Sequence, residues 1–174
     1  MPAVRAWRAP VAIALAVIAL DQLTKHWAVT SLGTDREIDL FWTLRLNLAF
    51  NNGMAFGQGQ GFGPVIAVIA TVVIVYLLVS LQTEASPMGT IGMGLLIGGA
   101  AGNLIDRLFR GDDGFLQGGV VDFIDLQWFP IFNIADIAIN VGAALLILNS
   151  ILIARAHRHD DSSEPVGDDT GSPT

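Results

Sequence analysis

The sequence predicts a mainly α-helical, polytopic membrane protein with four transmembrane helices, and three observations lead to that prediction. Hydrophobic residues make up 52% of the 174 residues. Charged residues make up only 14%, about half of their usual share in soluble domains. Four segments approach the roughly 20 apolar residues that a helix needs to cross the hydrocarbon core. A chain of this length is expected to form a single domain.

The predicted spans cover residues 9–29, 62–81, 88–105 and 131–154. The first resembles a signal peptide, but no A-x-A-like cleavage site closes it, and Asp21 and Lys25 lie where cleavage would occur. We therefore expect a spanning helix there. Polar side chains interrupt the apolar run near the start of the fourth segment: Asn133, Asp136 and Asn140. Asn133 and Asp136 are expected to open this helix from the outside.

Basic side chains flank both ends of the spanning region: Arg5 and Arg8 before it, Arg155 and Arg158 after it. Cytoplasmic flanks are enriched in Arg and Lys, so we expect both termini in the cytoplasm. Residues 1–159 then form one membrane domain. Residues 160–174 are acidic and almost without apolar side chains, which predicts a disordered tail.

Two extracytoplasmic segments are predicted to lie at the membrane surface. Apolar and polar residues alternate over 44–48, which is typical of a half-buried strand, and Phe41 and Trp42 suit the membrane–water boundary. We therefore expect a small β element on the outer leaflet. The apolar run at 120–126 is interpreted as an interfacial or re-entrant piece.

Ionisable residues within the spans all lie toward their outer ends. A carboxylate in hydrocarbon costs about 2.5–3.5 kcal/mol on insertion scales, so such residues suggest a functional pocket. Glycines spaced by four on the third span allow a neighbouring helix to approach closely and bring Asp106 to that interface. Structural alternatives remain open: Asp21 and Lys25 can form an i,i+4 pair, and Asp106 and Arg107 can end a helix.

Asp136 is the strongest candidate for a reactive group, because no cation lies within one helical turn of it. The loop before the fourth span offers Asp122 as its partner. Two neighbouring carboxyls cannot both ionise, so one can act as base on a water molecule while the other acts as acid. That chemistry needs no metal or cofactor, and none is expected, since the chain has no Cys and no H-E-x-x-H or G-x-S-x-G motif.

Other functional classes fit less well. A proton-coupled transporter that uses Asp21, Lys25 and Asp136 as a relay would need polar residues through the whole depth of the membrane. A structural assembly factor would tolerate substitution of Asp122. Intramembrane aspartyl proteases of the G-x-G-D type are disfavoured because that motif is absent. Nucleic-acid binding is not expected without clustered Lys and Arg.

Over residues 7–155 the chain resembles the lipoprotein signal peptidases, the type II signal peptidases of bacterial membranes. Five sequence blocks carry the resemblance in order: DQLTK at 21–25, NNGMAFG at 51–57, GGAAGNLIDR at 98–107, VVDF at 120–123 and FNIAD at 132–136. The resemblance implies an aspartic endopeptidase with an outer-leaflet β-cradle and a periplasmic-type lid or helix. It places the catalytic pair at Asp122 and Asp136.

The resemblance also implies supporting roles in folding, substrate positioning or orientation of the pair for Asp21, Lys25, Asn51, Gly53, Asn103, Asp106, Arg107 and Asn133. The implied substrates are diacylglyceryl-modified prolipoproteins, cut just before the lipid-modified cysteine. Membrane lipids and globomycin-type inhibitors are the other expected partners, and a monomer is expected. The implied location is the bacterial cytoplasmic membrane, with the active site toward the extracytoplasmic face.

Overall fold

A computed structural model describes residues 3–33, 36–53, 62–81, 86–111, 116 and 118–161, with the backbone alone described at 3–6 and 159–161. Seven elements follow one another along the chain: α1 (Ala3–Ser31), β1 (Ile38–Phe41), β2 (Leu44–Asn51), α2 (Gly63–Ser80), α3 (Pro87–Phe109), β3 (Val120–Asp125) and α4 (Ile134–Asp161). The predicted class, helical with a small sheet, is confirmed.

Four helices in the described part of the chain are long and apolar enough to cross a membrane, as predicted. α1, α3 and α4 extend several residues beyond the predicted spans. Hydropathy detects only the apolar part of a helix, whereas backbone hydrogen bonding continues through polar residues at its ends. Asp106 and Arg107 lie close to the end of α3, which runs on to Phe109: Arg107 is in its last turn, and the carbonyl oxygen of Asp106 accepts from the N–H of the C-cap residue Arg110.

Asn133 and Asp136 stand at the start of the fourth helix, as expected. α4 begins at Ile134 and continues without interruption through Asp136 and Asn140. Asn133 stands immediately before the first helical residue, and its side chain accepts a hydrogen bond from the backbone N–H of Asp136. The polar residues thus start the helix, because Asn is among the preferred N-cap residues.

α3 is the central helix and contacts the other three. Its predicted glycine ladder faces α1: a Cβ at Gly98 would lie 2.8 Å from the carbonyl oxygen of Ala14. A second glycine face meets α4, where a Cβ at Gly99 would lie 2.5 Å from the carbonyl oxygen of Ala135. These close approaches bring the polar ends of α1, α3 and α4 together.

A three-stranded antiparallel sheet, in the order β1-β2-β3, lies against the end of α1. The strand predicted at 44–48 is confirmed within β2. The run at 120–126 is the strand β3 rather than a re-entrant piece, with Ala49 paired to Asp122. Val121 and Phe123 are buried with Ala28 of α1 and with Leu32, which directly follows that helix, and these contacts anchor β3 over the helix ends.

Two expectations concern parts of the chain that the structure does not describe in full. Between α3 and α4 the described residues contain β3 and no helix. The expected lid or helix was not assigned to particular residues, and it stays a prediction. α4 includes positions 160 and 161 of the predicted tail. Residues 162–174 are outside the described part.

Candidate active site

Asp122 projects from β3 and is almost fully buried, with 3% of its surface exposed. Its Oδ1 accepts a hydrogen bond of 2.6 Å from Nδ2 of Asn133. Its Oδ2 accepts one of 3.2 Å from Nδ2 of Asn51, at the end of β2. The Asn51 amide is held in this orientation because its Oδ1 accepts from the backbone N–H of Gly53. Each carboxylate oxygen of Asp122 therefore faces a fixed amide donor.

Asp136 lies in the first turn of α4 and forms a reciprocal cap with Asn133. Oδ1 of Asn133 accepts from the Asp136 N–H at 3.0 Å, and Oδ2 of Asp136 accepts from the Asn133 N–H at 3.2 Å. This is the capping-box arrangement, which satisfies two otherwise unpaired donors at a helix start. The start of the helix thus fixes the position of the Asp136 carboxyl.

Asn133 joins the two carboxyls, because one side chain bonds both residues. Its Nδ2 contacts Asp122, and its Oδ1 contacts the backbone of Asp136. Asn103 of α3 adds a further hydrogen bond of 2.8 Å, from its Nδ2 to Oδ1 of Asp136. The structure therefore brings together β3, α3 and α4 at the two residues that the sequence singled out.

A buried ionic cluster lies beside this pair. Nζ of Lys25 is 2.8 Å from a carboxylate oxygen of Asp21 and 2.8 Å from one of Asp106, and none of the three side chains is exposed. The i,i+4 pairing of Asp21 with Lys25 is confirmed. Asp106 pairs with Lys25 and, at 2.6 Å, with Arg110, rather than with Arg107.

The two acids of the cluster also hold the backbone next to the candidate pair. Asp21 accepts a hydrogen bond of 3.0 Å from the N–H of Ala135, which precedes Asp136. Asp106 accepts one of 3.2 Å from the N–H of Val121, which precedes Asp122. The cluster thus sets the relative position of α4 and β3.

Arg107 reaches the same region from α3, and its Nη2 donates to the carbonyl oxygen of Gly53 at 3.3 Å. Its Nη1 is the one buried side-chain nitrogen or oxygen without a hydrogen-bond partner in the part of the chain that the structure describes. Gly53 therefore takes part through its backbone, donating to Asn51 and accepting from Arg107. Residues 54–57 of the NNGMAFG block, Phe56 included, lie outside the described residues.

Two cavities meet at the carboxyl pair. One, of about 630 Å³, is lined by α4 and the segment before it, including Trp128 and Phe129. The other, of about 480 Å³, lies among α2, α3 and α4. Asn51, Asp122 and Asp136 line both. Most of the remaining lining is apolar, so a ligand with hydrophobic parts can approach the carboxyls from two sides.

The surroundings of Asp122 favour a shared proton. Burial, and next to it the charge of Asp136, raises the pKa of Asp122 to about 7. Two close carboxyls in such a site hold one proton between them near neutral pH. Among the described residues, no group of three His, Cys, Asp or Glu side chains is placed to hold a metal ion. The arrangement can provide one carboxylate as base and one carboxylic acid as proton donor.

Gln22 and Arg110 belong to this network although they were not among the predicted site residues. Gln22 donates from Nε2 to Oδ1 of Asp106 and to the carbonyl of Gly102. Gln22 stands within the DQLTK block, and Arg110 is four residues after Asp106 on the same helix face. The sequence block and the four-residue spacing could have indicated these two residues, but glutamine and arginine are not residue types that suggest a catalytic acid or base.

Comparison with known proteins gives consistent matches. A family model described as Signal peptidase (SPase) II matches residues 13–152. Lipoprotein signal peptidase of Mycobacterium avium (strain 104) is 39% identical over 148 residues, 84% of this chain and 81% of that protein. The enzyme of the same name from Rhodococcus jostii (strain RHA1) is 39% identical over 141 residues, 80% of this chain and 71% of that protein. A solved bacterial membrane enzyme is 30% identical, with a TM-score of 0.72 over 82% of this chain and 87% of that one.

Proposed function

Because this chain belongs to the signal peptidase II family, we propose that Asp122 and Asp136 are the catalytic carboxyls of its aspartic endopeptidase site. As a member of that family it is a multi-pass bacterial membrane enzyme that removes signal peptides from prolipoproteins. The observation that carries the proposal is Asn133, whose side chain bonds Asp122 and caps Asp136 at once. Asn133 thereby holds the two carboxyls where both of them line the same two cavities.

The proposed reaction uses the single proton that the pair retains near neutral pH. One carboxylate accepts a proton from water as the water oxygen attacks the scissile carbonyl carbon. The other carboxyl gives its proton to the amide nitrogen as the C–N bond breaks. The proton gained by the first carboxyl is then shared again within the pair. No metal or cofactor takes part.

For the substrate, we propose a prolipoprotein that already carries diacylglycerol on its cysteine and is cut just before that residue. The apolar lining of both cavities supports this proposal, since acyl chains and a signal peptide both need hydrophobic surroundings. Diacylglycerol would hold the substrate at a constant depth in the outer leaflet. The scissile bond would then lie at the level of the carboxyl pair.

The remaining site residues are proposed to position the pair and the substrate. Asn51, Asn103 and Asn133 donate to the two carboxyls. Asp21, Lys25 and Asp106 hold the neighbouring backbone, as described above, while Gly53 and Arg107 connect the end of β2 to α3.

The orientation in the membrane is also a proposal. Arg155 and Arg158 lie at the far end of α4 from Asp136, and Arg8 lies at the far end of α1 from Asp21. Basic flanks favour the cytoplasm, so the pair would lie toward the extracytoplasmic face with both termini inside the cell. We propose that the enzyme works as a monomer and that globomycin-type inhibitors bind in the same cavities.

Cleavage by the purified protein in detergent tests the proposed function. The wild-type protein should cut a diacylglyceryl-modified prolipoprotein, should leave the unmodified form almost untouched, and should be inhibited by globomycin. Asp122→Asn and Asp136→Asn should each abolish turnover while the protein still folds. Asp125→Asn is the matched control, because Asp125 is a buried carboxyl on the same strand that bonds Arg45 instead of the pair.

The variants and the two substrate forms test separate parts of the proposal. Near wild-type cleavage by either pair variant would show that the assignment of Asp122 and Asp136 is wrong. Equal cleavage of modified and unmodified substrate would contradict the role of the lipid.

A further inference from the structure

We propose that Lys25, acting through Asn103, sets the two roles within the pair: Asp136 is the ionised base and Asp122 carries the proton as the acid. This inference rests on the proposed function and adds the direction of proton transfer to it. Lys25 touches neither carboxyl of the pair, so its role is that of a positioning residue.

The first step is the orientation of the Asn103 amide. Nζ of Lys25 lies 2.9 Å from Oδ1 of Asn103, and an ammonium group can only donate hydrogen bonds. Nδ2 of Asn133 also donates to this oxygen, at 3.1 Å. Oδ1 of Asn103 is therefore the acceptor, and the NH₂ group of the same side chain must point at Asp136, where it lies 2.8 Å from Oδ1.

The second step is the effect on Asp136. Both of its carboxylate oxygens accept from donors that cannot reverse, the Asn103 NH₂ group and the Asn133 backbone N–H. Hydrogen bonds to the charged form favour ionisation. Asp136 also lies in the first turn of α4, where the helix dipole stabilises a negative charge.

Asp122 lacks two of these advantages. It lies on a strand, which has no comparable dipole, and its amide donors Asn51 and Asn133 are not directly backed by a cation. Burial and the neighbouring Asp136 raise the pKa of Asp122 to about 7 and outweigh the lowering by its two amide donors and by the charge of Lys25, which agrees with its retaining the proton. The shared proton is therefore placed on Asp122.

The other charged groups around the pair do not explain this difference. Asp21 and Asp106 offset the charges of Lys25 and Arg110, so the buried cluster as a whole is neutral. Arg107 of α3 interacts electrostatically with both carboxyls of the pair. What distinguishes Asp136 is that its amide donor, Asn103, is itself bonded to the ammonium group of Lys25, whereas the amide donors of Asp122 are oriented by uncharged backbone N–H groups.

In the resulting reaction each proton has a stated path. Water gives a proton to the Asp136 carboxylate as its oxygen bonds the scissile carbon. Asp122 gives its proton to the departing nitrogen as the C–N bond breaks. Proton transfer from Asp136 back to Asp122 then restores the starting state.

The test is the pH profile of kcat/KM for the double variant Asp21→Asn/Lys25→Met in detergent, with a diacylglyceryl-modified prolipoprotein as substrate. Replacing both residues keeps the cluster neutral, since Asp106 still pairs with Arg110. The acidic limb, where the base loses its charge, should move up by about one pH unit, the lower end of the effect of a nearby charge. The single variant Asp21→Asn retains Lys25 and leaves one excess positive charge in the cluster, which favours an ionised carboxylate, so its acidic limb should not move up.

A merely structural Lys25 would lower the thermal stability of the double variant and leave the acidic limb in place, which would overturn the inference. Should the double variant fail to fold, Asn103→Leu decides, because it removes the bond to Asp136 and leaves both ion pairs of Lys25 intact. Asn103→Leu must show the same upward movement of the limb. An unmoved limb in active variants overturns only the role of Lys25, whereas cleavage by Asp122→Asn or Asp136→Asn would overturn the proposed function itself.

Discussion

Asp122→Asn is expected to gain stability relative to the wild type as the pH rises, although it removes a proposed catalytic group. Burial, followed by the charge of Asp136, raises the pKa of Asp122 from 3.8 to about 7. The folded protein thus holds this proton more tightly than the unfolded chain. The resulting stabilisation is complete below pH 3.8 and is lost as the pH rises through about 7.

The two pKa values determine the size of the effect. Relative to its value well below pH 3.8, the contribution of wild-type Asp122 to the free energy of unfolding has fallen by roughly 2 kcal/mol at pH 5 and by roughly 4 kcal/mol at pH 8. An asparagine there carries no charge at either pH. The NH₂ group of the new asparagine would face the NH₂ group of Asn51, and two donors cannot bond each other. This unfavourable contact costs the same at both pH values. The variant should therefore gain roughly 2–3 kcal/mol over the wild type between pH 5 and pH 8.

Thermal unfolding of the purified proteins in detergent at pH 5 and pH 8 measures this gain. Asp125→Asn is the control: burial opposes ionisation, but hydrogen bonds from Arg45 and Gln127 outweigh it and lower the pKa of Asp125. Its stabilising effect is present above pH 3.8 and lost below that pH, so its removal should destabilise the protein at both pH values by a similar amount. A difference between Asp122→Asn and wild type that does not change with pH would refute the reasoning.

Three other outcomes are expected. The cleavage rate should fall above pH 7, approaching tenfold per pH unit, because the pair loses its shared proton; a rate that is flat to pH 9 would contradict this. Gly98→Ala should lower thermal stability by about 1–3 kcal/mol, since its Cβ would lie 2.7 Å from Cβ of Val17; unchanged unfolding would mean that α1 and α3 separate easily. Asn133→Ala should cost about 1 kcal/mol as a lost cap and should lower kcat more than it changes KM, whereas the control Asn140→Ala leaves the cap intact and should unfold nearly as the wild type does.

The helices and the location of the site could be predicted because both depend on local composition. Apolar length predicted all four helices, and the outward placement of Asp21, Asp106 and Asp136 predicted where they meet. The four-residue glycine spacing predicted a face of α3 that a neighbouring helix approaches closely, although not that this neighbour is α1. Each of these signals lies within one helix and needs no knowledge of its neighbours.

The strand β3 escaped prediction for a physical reason. Five of its six residues are buried, so polar and apolar positions do not alternate along it. A strand covered on both faces gives a continuous apolar run, which periodicity cannot separate from other buried segments. Its identity follows only from pairing with β2, a contact between distant parts of the chain.

The role of Asn133 was partly legible in the sequence. An N-cap residue followed three positions later by an acidic residue is a recognisable helix start, and N-I-A-D fits that pattern. Its second bond, to Asp122 on β3, depends on the tertiary fold. The same holds for Lys25, whose i,i+4 partner Asp21 was predictable but whose bond to Asp106 was not.

The capping box at the start of α4 has a mechanical consequence. The proposed base lies in the first turn of α4, a 28-residue helix that is long enough to cross the membrane, so any tilt of that helix displaces the carboxyl from its target. Transmembrane helices tilt when their hydrophobic length exceeds the thickness of the bilayer, and the bilayer thins locally when they are too short. The turnover rate should therefore depend on the acyl-chain length of the surrounding lipids, with a maximum at one bilayer thickness and lower rates in thinner or thicker bilayers.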